Sequence, residues 1–111
     1  MKVFQKELVL LPFPFSNMEG TKVRPALIVS NDSFNKKGDD CLMVPLTTVI
    51  KDEPFSILLQ QENLISGRLL KPSRIRLDKI FSVEKDLISM KIGIVNDKIF
   101  QKIRQEITEM F

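Results

Sequence analysis

The sequence predicts a mainly β fold, a small and strongly bent sheet or barrel with one terminal helix. Short apolar runs recur along most of the chain, and polar segments containing Gly, Pro or Asn separate them. The apolar spacing changes to a helical period only near the C-terminus. Five or six short strands followed by one helix are typical of a small barrel.

The first two predicted strands flank a short polar loop. Residues 8–15 carry Val, Leu or Phe at nearly every position, so both faces of this strand are expected to be buried. Pro12 and Pro14 cannot donate to a sheet ladder and confine the strand to an edge or a bend. The second strand, 26–29, follows an Arg-Pro pair, and proline favours extended backbone in the residue before it. Arg24 is therefore expected to be held at the start of a strand.

The middle of the chain continues the pattern of short strands. Residues 31–40 are predicted to form a loop, and residues 41–47 and 55–59 to form strands. An irregular connection is expected at 63–72. Residues 73–83 alternate in polarity, which places Ile75, Leu77 and Phe81 on one face of a strand and Arg74, Arg76 and Asp78 on the other.

The C-terminal segment has the apolar period of an amphipathic helix, predicted at about residues 97–110. Asn96 is a suitable N-cap, and Asp97 is favourable in the first turn. In a small domain such a stripe usually completes the core. A chain of 111 residues suits a single domain, expected here to span residues 1–111.

The composition argues against several classes of protein. No apolar run approaches the ~20 residues of a membrane helix, and the N-terminus lacks the pattern of a secretory signal. A cytoplasmic protein without a membrane partner is expected. The single cysteine, Cys41, excludes an internal disulfide, and the absence of histidine leaves no thiol–imidazole pair and no expected zinc site. Cys41 is predicted to be a buried strand residue.

Three polar elements are candidates for chemistry: Arg24 with the loop 16–23, the pair Thr47-Thr48, and a basic stretch. Each has an ordinary alternative, namely a surface charge, a turn cap and a solvated strand face. The residues alone indicate a basic, sheet-rich domain whose surface suits a polyanion. The basic stretch consists of Arg68, Lys71, Arg74, Arg76 and Lys79, opposed by Asp78. Its net charge of +4 exceeds the +3 of the whole chain, so the positive charge is concentrated there.

Three blocks of the sequence resemble the MazF/PemK toxin family. ELVLLPFPFSNMEGTKVRPALIVSND resembles the opening signature of the family, VPLTT its second block and KPSRIRLDKIFSV its third. The PFPF...G.K.RPALIVS run is the specific part. The similarity covers essentially the whole chain, and it implies an SH3-like barrel.

The resemblance implies a homodimeric toxin of a type II toxin–antitoxin pair. Such a toxin is an mRNA interferase that cleaves single-stranded RNA without a metal or another cofactor, giving a 2',3'-cyclic phosphate and a 5'-hydroxyl. Arg24 and Thr47 correspond to its catalytic pair. A cognate antitoxin with a disordered, acidic and apolar tail is expected to bind along the same cleft. The residues expected at the RNA are Ser16, Glu19, Lys22, Thr48, Ser73, Arg74, Arg76, Asp78 and Lys79.

The implied chemistry suits these residue types. Attack of a 2'-hydroxyl on its phosphate builds charge on the non-bridging oxygens, which a guanidinium binds with two directed hydrogen bonds and a threonine hydroxyl with a third. Arg24 is therefore assigned chiefly to transition-state stabilisation. The general base stays open among Arg24, Glu19 and Asp78, because arginine gives up a proton reluctantly.

The chain departs from the family pattern at two places. Lys6-Glu7 replaces the usual glycine and aspartate before the first strand, and Lys79 and Phe81 stand where relatives often have glutamine and arginine. Alternation favours core packing for Phe81 over stacking on a base. Two alternatives to the nuclease remain: a gyrase-targeting toxin on the same barrel, a group that lacks the RPAL motif, and a non-catalytic RNA- or protein-binding barrel.

Overall fold

One antiparallel sheet and two helices form the part of the chain that the computed structural model describes, residues 1–13 and 22–111. The predicted mainly β class with a terminal helix is confirmed. Short 3-10 turns lie at Gln61–Asn63 and Lys85–Leu87. The strands are β1 (Glu7–Phe13), β2 (Lys22–Ile28), β3 (Asp40–Thr47), β4 (Ser56–Leu59), β5 (Leu64–Gly67), β6 (Ser73–Arg76), β7 (Phe81–Glu84) and β8 (Met90–Val95), and the helices are α1 (Asp32–Lys37) and α2 (Asp97–Thr108).

The sheet is curled, and β3 pairs with two strands along one edge. Its strand order is β4-β6-β3-β2-β1-β8-β5, and β7 pairs with β3 outside this path. The first half of β3, Asp40 to Met43, pairs with β7, whereas Leu46 and Thr47 pair with β6. The connection between β6 and β7, residues 77–80, therefore passes along the middle of β3. This arrangement gives a half-barrel and places the connection beside the end of β3.

The core has two clusters, one on each face of the central strands. Neighbouring residues of β1 separate between them, since Leu8 belongs to one and Val9 to the other, and neither is exposed. The prediction that the first strand is buried on both faces is confirmed. The first cluster includes Phe100 and Ile103 of α2, so the terminal helix completes the core as predicted. Asn96 caps this helix by accepting a hydrogen bond from the Ile99 amide at 2.9 Å.

The two prolines near Arg24 occupy positions where one side of their strand has no partner. Pro12 lies beyond Leu10, the last β1 residue paired with β8, which agrees with the predicted edge position. Pro14 lies outside the described residues. Pro25 follows the same rule, because the pairing of β2 with β3 stops at Ala26. Because β2 already begins at Lys22, Arg24 is its third residue. The prediction that Arg24 stands at the start of a strand is therefore wrong.

Two segments predicted as loops contain regular structure. Residues 31–40 include α1, whose N-cap Asn31 accepts a hydrogen bond from the Phe34 amide at 2.8 Å. A helix of six residues is too short to show an apolar period, which is why the sequence suggested a loop. Residues 63–72 include β5, a mostly exposed edge strand that pairs with β8. Most of its residues are not buried, so it lacks the apolar alternation of a strand.

The alternating segment 73–83 is two strands rather than one. The turn at residues 77–80 moves the chain from one partner region of β3 to the other. Ile75 and Leu77 belong to the first core cluster, while Phe81 packs against the second. The prediction that these three side chains share one face is therefore wrong, because a strand's alternation does not continue through a turn.

The Lys6-Glu7 departure is accommodated by specific contacts. Lys6 has a φ of 81°, a region that favours glycine, and its ammonium pairs with Asp97 and lies 5.7 Å from the Phe100 ring centroid. Glu7 is buried but paired with Lys91 at 2.9 Å.

Within the described residues, no helix is long and apolar enough to cross a bilayer.

Candidate functional site

A cavity of about 460 Å³ opens where β2, the end of β3 and the connection between β6 and β7 meet. Among the described residues, three of the lining side chains are cationic and none is a carboxylate. We call it the basic cavity. It is lined by Phe13, Arg24, Pro45, Leu46, Thr47, Arg76, Lys79, Ile80 and Phe81.

Sheet register brings Arg24 and Thr47 to this cavity. β2 and β3 pair antiparallel with Ile28 opposite Met43 and Ala26 opposite Pro45. The pairing ends at Ala26 and Pro45. Arg24 and Thr47 each lie two residues beyond this last pair, and both side chains line the basic cavity. The two residues that the sequence analysis singled out for chemistry therefore lie together.

Arg24 and Thr47 differ in how the fold holds them. Arg24 is exposed, and no carboxylate among residues 1–13 and 22–111 lies within ion-pair distance of it. Thr47 is half-buried, and its Oγ1 accepts a hydrogen bond from the Val49 amide at 3.2 Å. That bond uses a lone pair and leaves the hydroxyl proton to donate. The site thus offers a guanidinium fork next to an oriented hydroxyl.

Arg76 is the second guanidinium of the cavity, and two carboxylates hold it. Its Nε and Nη2 donate to the two oxygens of Asp78 at 3.3 and 3.2 Å, and Nη2 lies 3.5 Å from Glu53 Oε2. Partial desolvation opposes ionisation of Asp78, but the hydrogen bond and charge of Arg76 outweigh it and lower the pKa of Asp78. The bond to Asp78 likewise raises the pKa of Arg76. Arg76 is therefore a fixed and partly neutralised charge.

The connection between β6 and β7 supplies the remaining wall of the cavity. The Lys79 amide donates to the Arg76 carbonyl at 3.2 Å, which closes the turn, and the Lys79 side chain is exposed. Phe81 is half-buried, and its ring meets Phe13 edge to face with centroids 5.5 Å apart. Phe81 packs on the second core cluster, in agreement with the expectation of core packing, and also lines the cavity.

Several residues expected at the RNA do not line the basic cavity. Ser73 is 2% exposed, and its hydroxyl donates to the Lys71 carbonyl at 3.1 Å. Arg74 donates to Ser56 Oγ and to the Ser56 carbonyl at 3.1 and 2.9 Å, so it ties β6 to β4. Both are structural contacts. Lys22 and Thr48 are exposed outside the lining, whereas Ser16 and Glu19 lie outside the described residues.

Sequence reasoning missed the role of Glu53. It lies in the connection between β3 and β4 and approaches Arg76 only because β4 and β6 pair, with Ser56 opposite Arg76. No local pattern links two residues so far apart in the sequence. The apolar lining from Phe13, Pro45 and Leu46 falls within the quoted sequence blocks, and these blocks are the signal that could have located it.

A second cavity, of about 430 Å³, lies on the other side of the contact between Phe13 and Phe81. We call it the acidic cavity, because its charged lining residues are Asp40 and Glu84, which stand opposite each other on β3 and β7. Ser82 Oγ lies 3.3 Å from Asp40 Oδ2. The lining consists of Leu11, Pro12, Phe13, Asp40, Phe81, Ser82, Val83, Glu84 and Leu87.

Neither a metal centre nor a reactive thiol is built from the described residues. Among them, no three His, Cys, Asp or Glu side chains converge to hold an ion. Cys41 is fully buried, as predicted, and burial raises the pKa of its thiol to about 11. The polar groups that the described residues bring to the basic cavity are guanidinium, hydroxyl and ammonium groups.

Comparison with known families gives a match over residues 4–111 to the family of PemK-like, MazF-like toxins of type II toxin–antitoxin systems. The chain belongs to this family. No curated protein sequence matches significantly. Among solved structures, this PemK/MazF-like chain resembles a MazE–MazF complex from Deinococcus radiodurans, with a TM-score of 0.79, 20% identity, and coverage of 99% of this chain and 96% of the other.

Mycobacterial proteins show the same fold. An endoribonuclease in complex with its cognate antitoxin has a TM-score of 0.77 and 20% identity, covering 96% of this chain and 92% of that one. A second mycobacterial endoribonuclease has a TM-score of 0.74 and 20% identity, with 98% and 90% covered. At such identities the likeness concerns the fold, and the activity of this PemK/MazF-like chain must be argued from its own residues.

Proposed function

We propose that this PemK/MazF-like toxin is a metal-independent endoribonuclease that cuts single-stranded RNA at short sequences. The observation that carries the proposal is the meeting of Arg24 and Thr47 in one basic cavity. Two further cations, Arg76 and Lys79, line the same cavity and suit a polyanionic substrate. Family membership and the endoribonuclease names of two structural neighbours support this reading.

The proposed reaction is an internal transfer at phosphorus. The 2'-oxygen of a ribose forms a bond to the adjacent phosphorus, and the bond from phosphorus to the 5'-oxygen of the next nucleotide breaks. The 2'-proton leaves to a base and the departing 5'-oxygen gains a proton, so the products are a 2',3'-cyclic phosphate and a 5'-hydroxyl. The Arg24 fork and the Thr47 hydroxyl stabilise the charge that grows on the non-bridging oxygens.

The identity of the general base is narrowed by the contacts of Asp78. Its carboxylate is bound by Arg76, and its lowered pKa makes it a poorer proton acceptor. We therefore favour Arg24 itself or Glu19 over Asp78. Glu19 lies outside the described residues, so this choice depends on the ion pair and the lowered pKa of Asp78.

The proposed partners follow from the same charges. An acidic and apolar antitoxin tail laid over the basic cavity would neutralise Arg24 and Lys79 and cover Phe81, which blocks RNA by competition. Two of the similar structures are complexes of a toxin with its antitoxin. A cytoplasmic homodimer is proposed as the working form, in line with the resemblance.

The test is cleavage of a long unstructured RNA in EDTA, with mapping of the new 5' ends. Arg24→Ala is expected to slow cleavage ~10²- to 10³-fold, the usual loss on removing one such donor. Arg104→Ala, an exposed arginine of α2, is the matched control and should cleave like the wild type. Fragments with 5'-hydroxyl ends accept phosphate from a kinase without prior phosphatase treatment, which checks the end chemistry.

Two results would contradict the proposal. Equal cleavage by Arg24→Ala and the wild type would remove Arg24 from the chemistry. Salt-sensitive RNA binding without any cleavage would instead support the non-catalytic barrel, and intact RNA with trapped DNA breaks the gyrase-targeting alternative.

A further inference from the structure

We propose that Lys79 is a specificity-determining residue that favours guanine over adenine and cytosine beside the cut phosphate. The inference rests on the proposed function and names the base that the basic cavity recognises. Its structural basis is the position of Lys79 in the connection between β6 and β7, where it shares the cavity with Arg24 and Thr47.

The connection is anchored at both ends, so the Lys79 backbone has a defined position. Leu77 is fully buried, and its amide donates to the Phe55 carbonyl at 2.8 Å. The Lys79 amide donates to the Arg76 carbonyl, and two residues later Phe81 enters β7 opposite Met43. The anchored turn places the Lys79 Cα at the cavity wall, from which its exposed and flexible side chain can reach a bound base.

The polar lining divides into groups with separate tasks. Arg24 and Thr47 are assigned to the phosphate, and Arg76 is held by Asp78 and Glu53. Lys79 has no ion-pair partner among the described residues, and its ammonium carries three donors and no acceptor. Lys79 is thus the cation of the lining best placed to bind a neutral hydrogen-bonding edge.

The apolar lining provides a surface for a base. Ile80 and Phe81 follow Lys79 directly, and the Phe13 ring completes this side of the cavity. Aromatic faces hold single-stranded bases of any identity by stacking, so they fix the base without choosing it. The choice then falls to the polar group at the edge, which here is the Lys79 ammonium.

Guanine is the base whose edge suits a lysine. Its N7 and O6 are adjacent acceptors, and lysine binds this pair in nucleic-acid complexes. Adenine and cytosine present an amino donor in the corresponding place, which would face the donors of Lys79. Within residues 1–13 and 22–111, no carboxylate lines the cavity to accept from such an amino group. The lining therefore favours guanine over the two amino-bearing bases.

The experiment maps cut sites in a randomised single-stranded RNA pool for the wild type, Lys79→Met and Lys102→Met. The wild type is expected to enrich guanine at one position next to the cut, by roughly 5- to 150-fold over adenine or cytosine. Lys79→Met should flatten that position among the cuts it makes, and its overall rate should fall because the cavity loses a positive charge. Lys102→Met alters an exposed lysine of α2 and should keep the wild-type profile.

A binding measurement separates this inference from the proposed function. The Arg24→Ala variant, with and without Lys79→Met, is titrated with fluorescent oligonucleotides containing guanine or 7-deazaguanine, which lacks the N7 acceptor. Loss of affinity on 7-deaza substitution only when Lys79 is present supports the inference, even if the protein cuts no RNA. Equal affinity for both oligonucleotides, or an unchanged cut-site profile for Lys79→Met, would overturn it.

Discussion

The basic and acidic cavities share the Phe13 and Phe81 rings as a wall, yet their charges are opposite. Their volumes are similar, about 460 and 430 Å³, so size does not distinguish them. β3 passes through both, with Asp40 at one end and Thr47 at the other. The comparison shows that the charge of each cavity depends on which half of β3 and which neighbouring strand line it, and we expect an anionic ligand to prefer the basic cavity.

The two cavities also rest on different parts of the core. Leu46, which lines the basic cavity, belongs to the cluster that includes α2. Leu11, which lines the acidic cavity, belongs to the cluster on the opposite face of the sheet. Both leucines are nearly fully buried, so they form a matched pair for testing the two sides separately.

The largest expected effect comes from truncating these two leucines. Leu46→Ala and Leu11→Ala should each lower the free energy of unfolding by about 2–5 kcal/mol, because each leaves a cavity in a packed cluster. Urea unfolding measures this loss. RNA cleavage by the folded protein should fall only for Leu46→Ala, which displaces Thr47. A similar fall in cleavage for Leu11→Ala would show that the two sides are not independent.

A smaller effect on the free energy of unfolding is expected from replacing Asp78, whose carboxylate partly neutralises Arg76 in the basic cavity. Its pKa is lowered in the fold, so its stabilising effect is present above the unfolded pKa of ~3.9 and is lost as the pH falls through the folded value. Asp78→Asn should cost about 0.2–1 kcal/mol of unfolding free energy at neutral pH, as expected for a partly exposed pair.

Urea unfolding of the wild type and Asp78→Asn between neutral and acidic pH measures the effect. The difference between the two proteins should shrink below pH ~3.9. A difference that is constant over the whole range would mean that the ion pair with Arg76 contributes nothing and that the change acts by another route.

An effect of similar size and opposite sign is expected in the acidic cavity, where Asp40 and Glu84 are like charges directly opposite each other. Asp40→Asn or Glu84→Gln should raise the free energy of unfolding by about 0.2–1 kcal/mol by removing this repulsion. RNA affinity at low salt should rise slightly, and the cleavage rate should stay near that of the wild type. Glu62→Gln, an exposed residue of a 3-10 turn, serves as the control.

Reduced RNA affinity or cleavage after either neutralisation would break the comparison. It would indicate that the acidic cavity contributes directly to substrate binding, through the carboxylates that accept hydrogen bonds from base amino groups.

The sequence predicted the parts of the fold that short-range patterns encode. The apolar run 41–47, the capped helix beginning at Asp97 and the burial of Cys41 all follow from local spacing and residue type. The meeting of Arg24 and Thr47 in one cavity was accessible through the family resemblance, because two short blocks located the residues without any knowledge of register.

The rest depended on pairing between distant strands. Arg74 and Arg76 share a face of β6 and looked equivalent in the sequence, but Arg74 is bound by Ser56 whereas Arg76 lines the basic cavity. Only the pairing of β4 with β6 separates their roles. The turn at 77–80 was hidden for a similar reason, since the alternation of apolar residues runs on across it while the partner strand changes.

The burial of Cys41 has a practical consequence for studying this chain. Its thiol is protonated at neutral pH and sealed from solvent, so maleimides and alkylating reagents should leave it untouched in the native protein. The natural sequence can therefore serve as an unmodified background for site-directed labelling. A fluorophore attached through Lys79→Cys would report on the occupancy of the basic cavity alone.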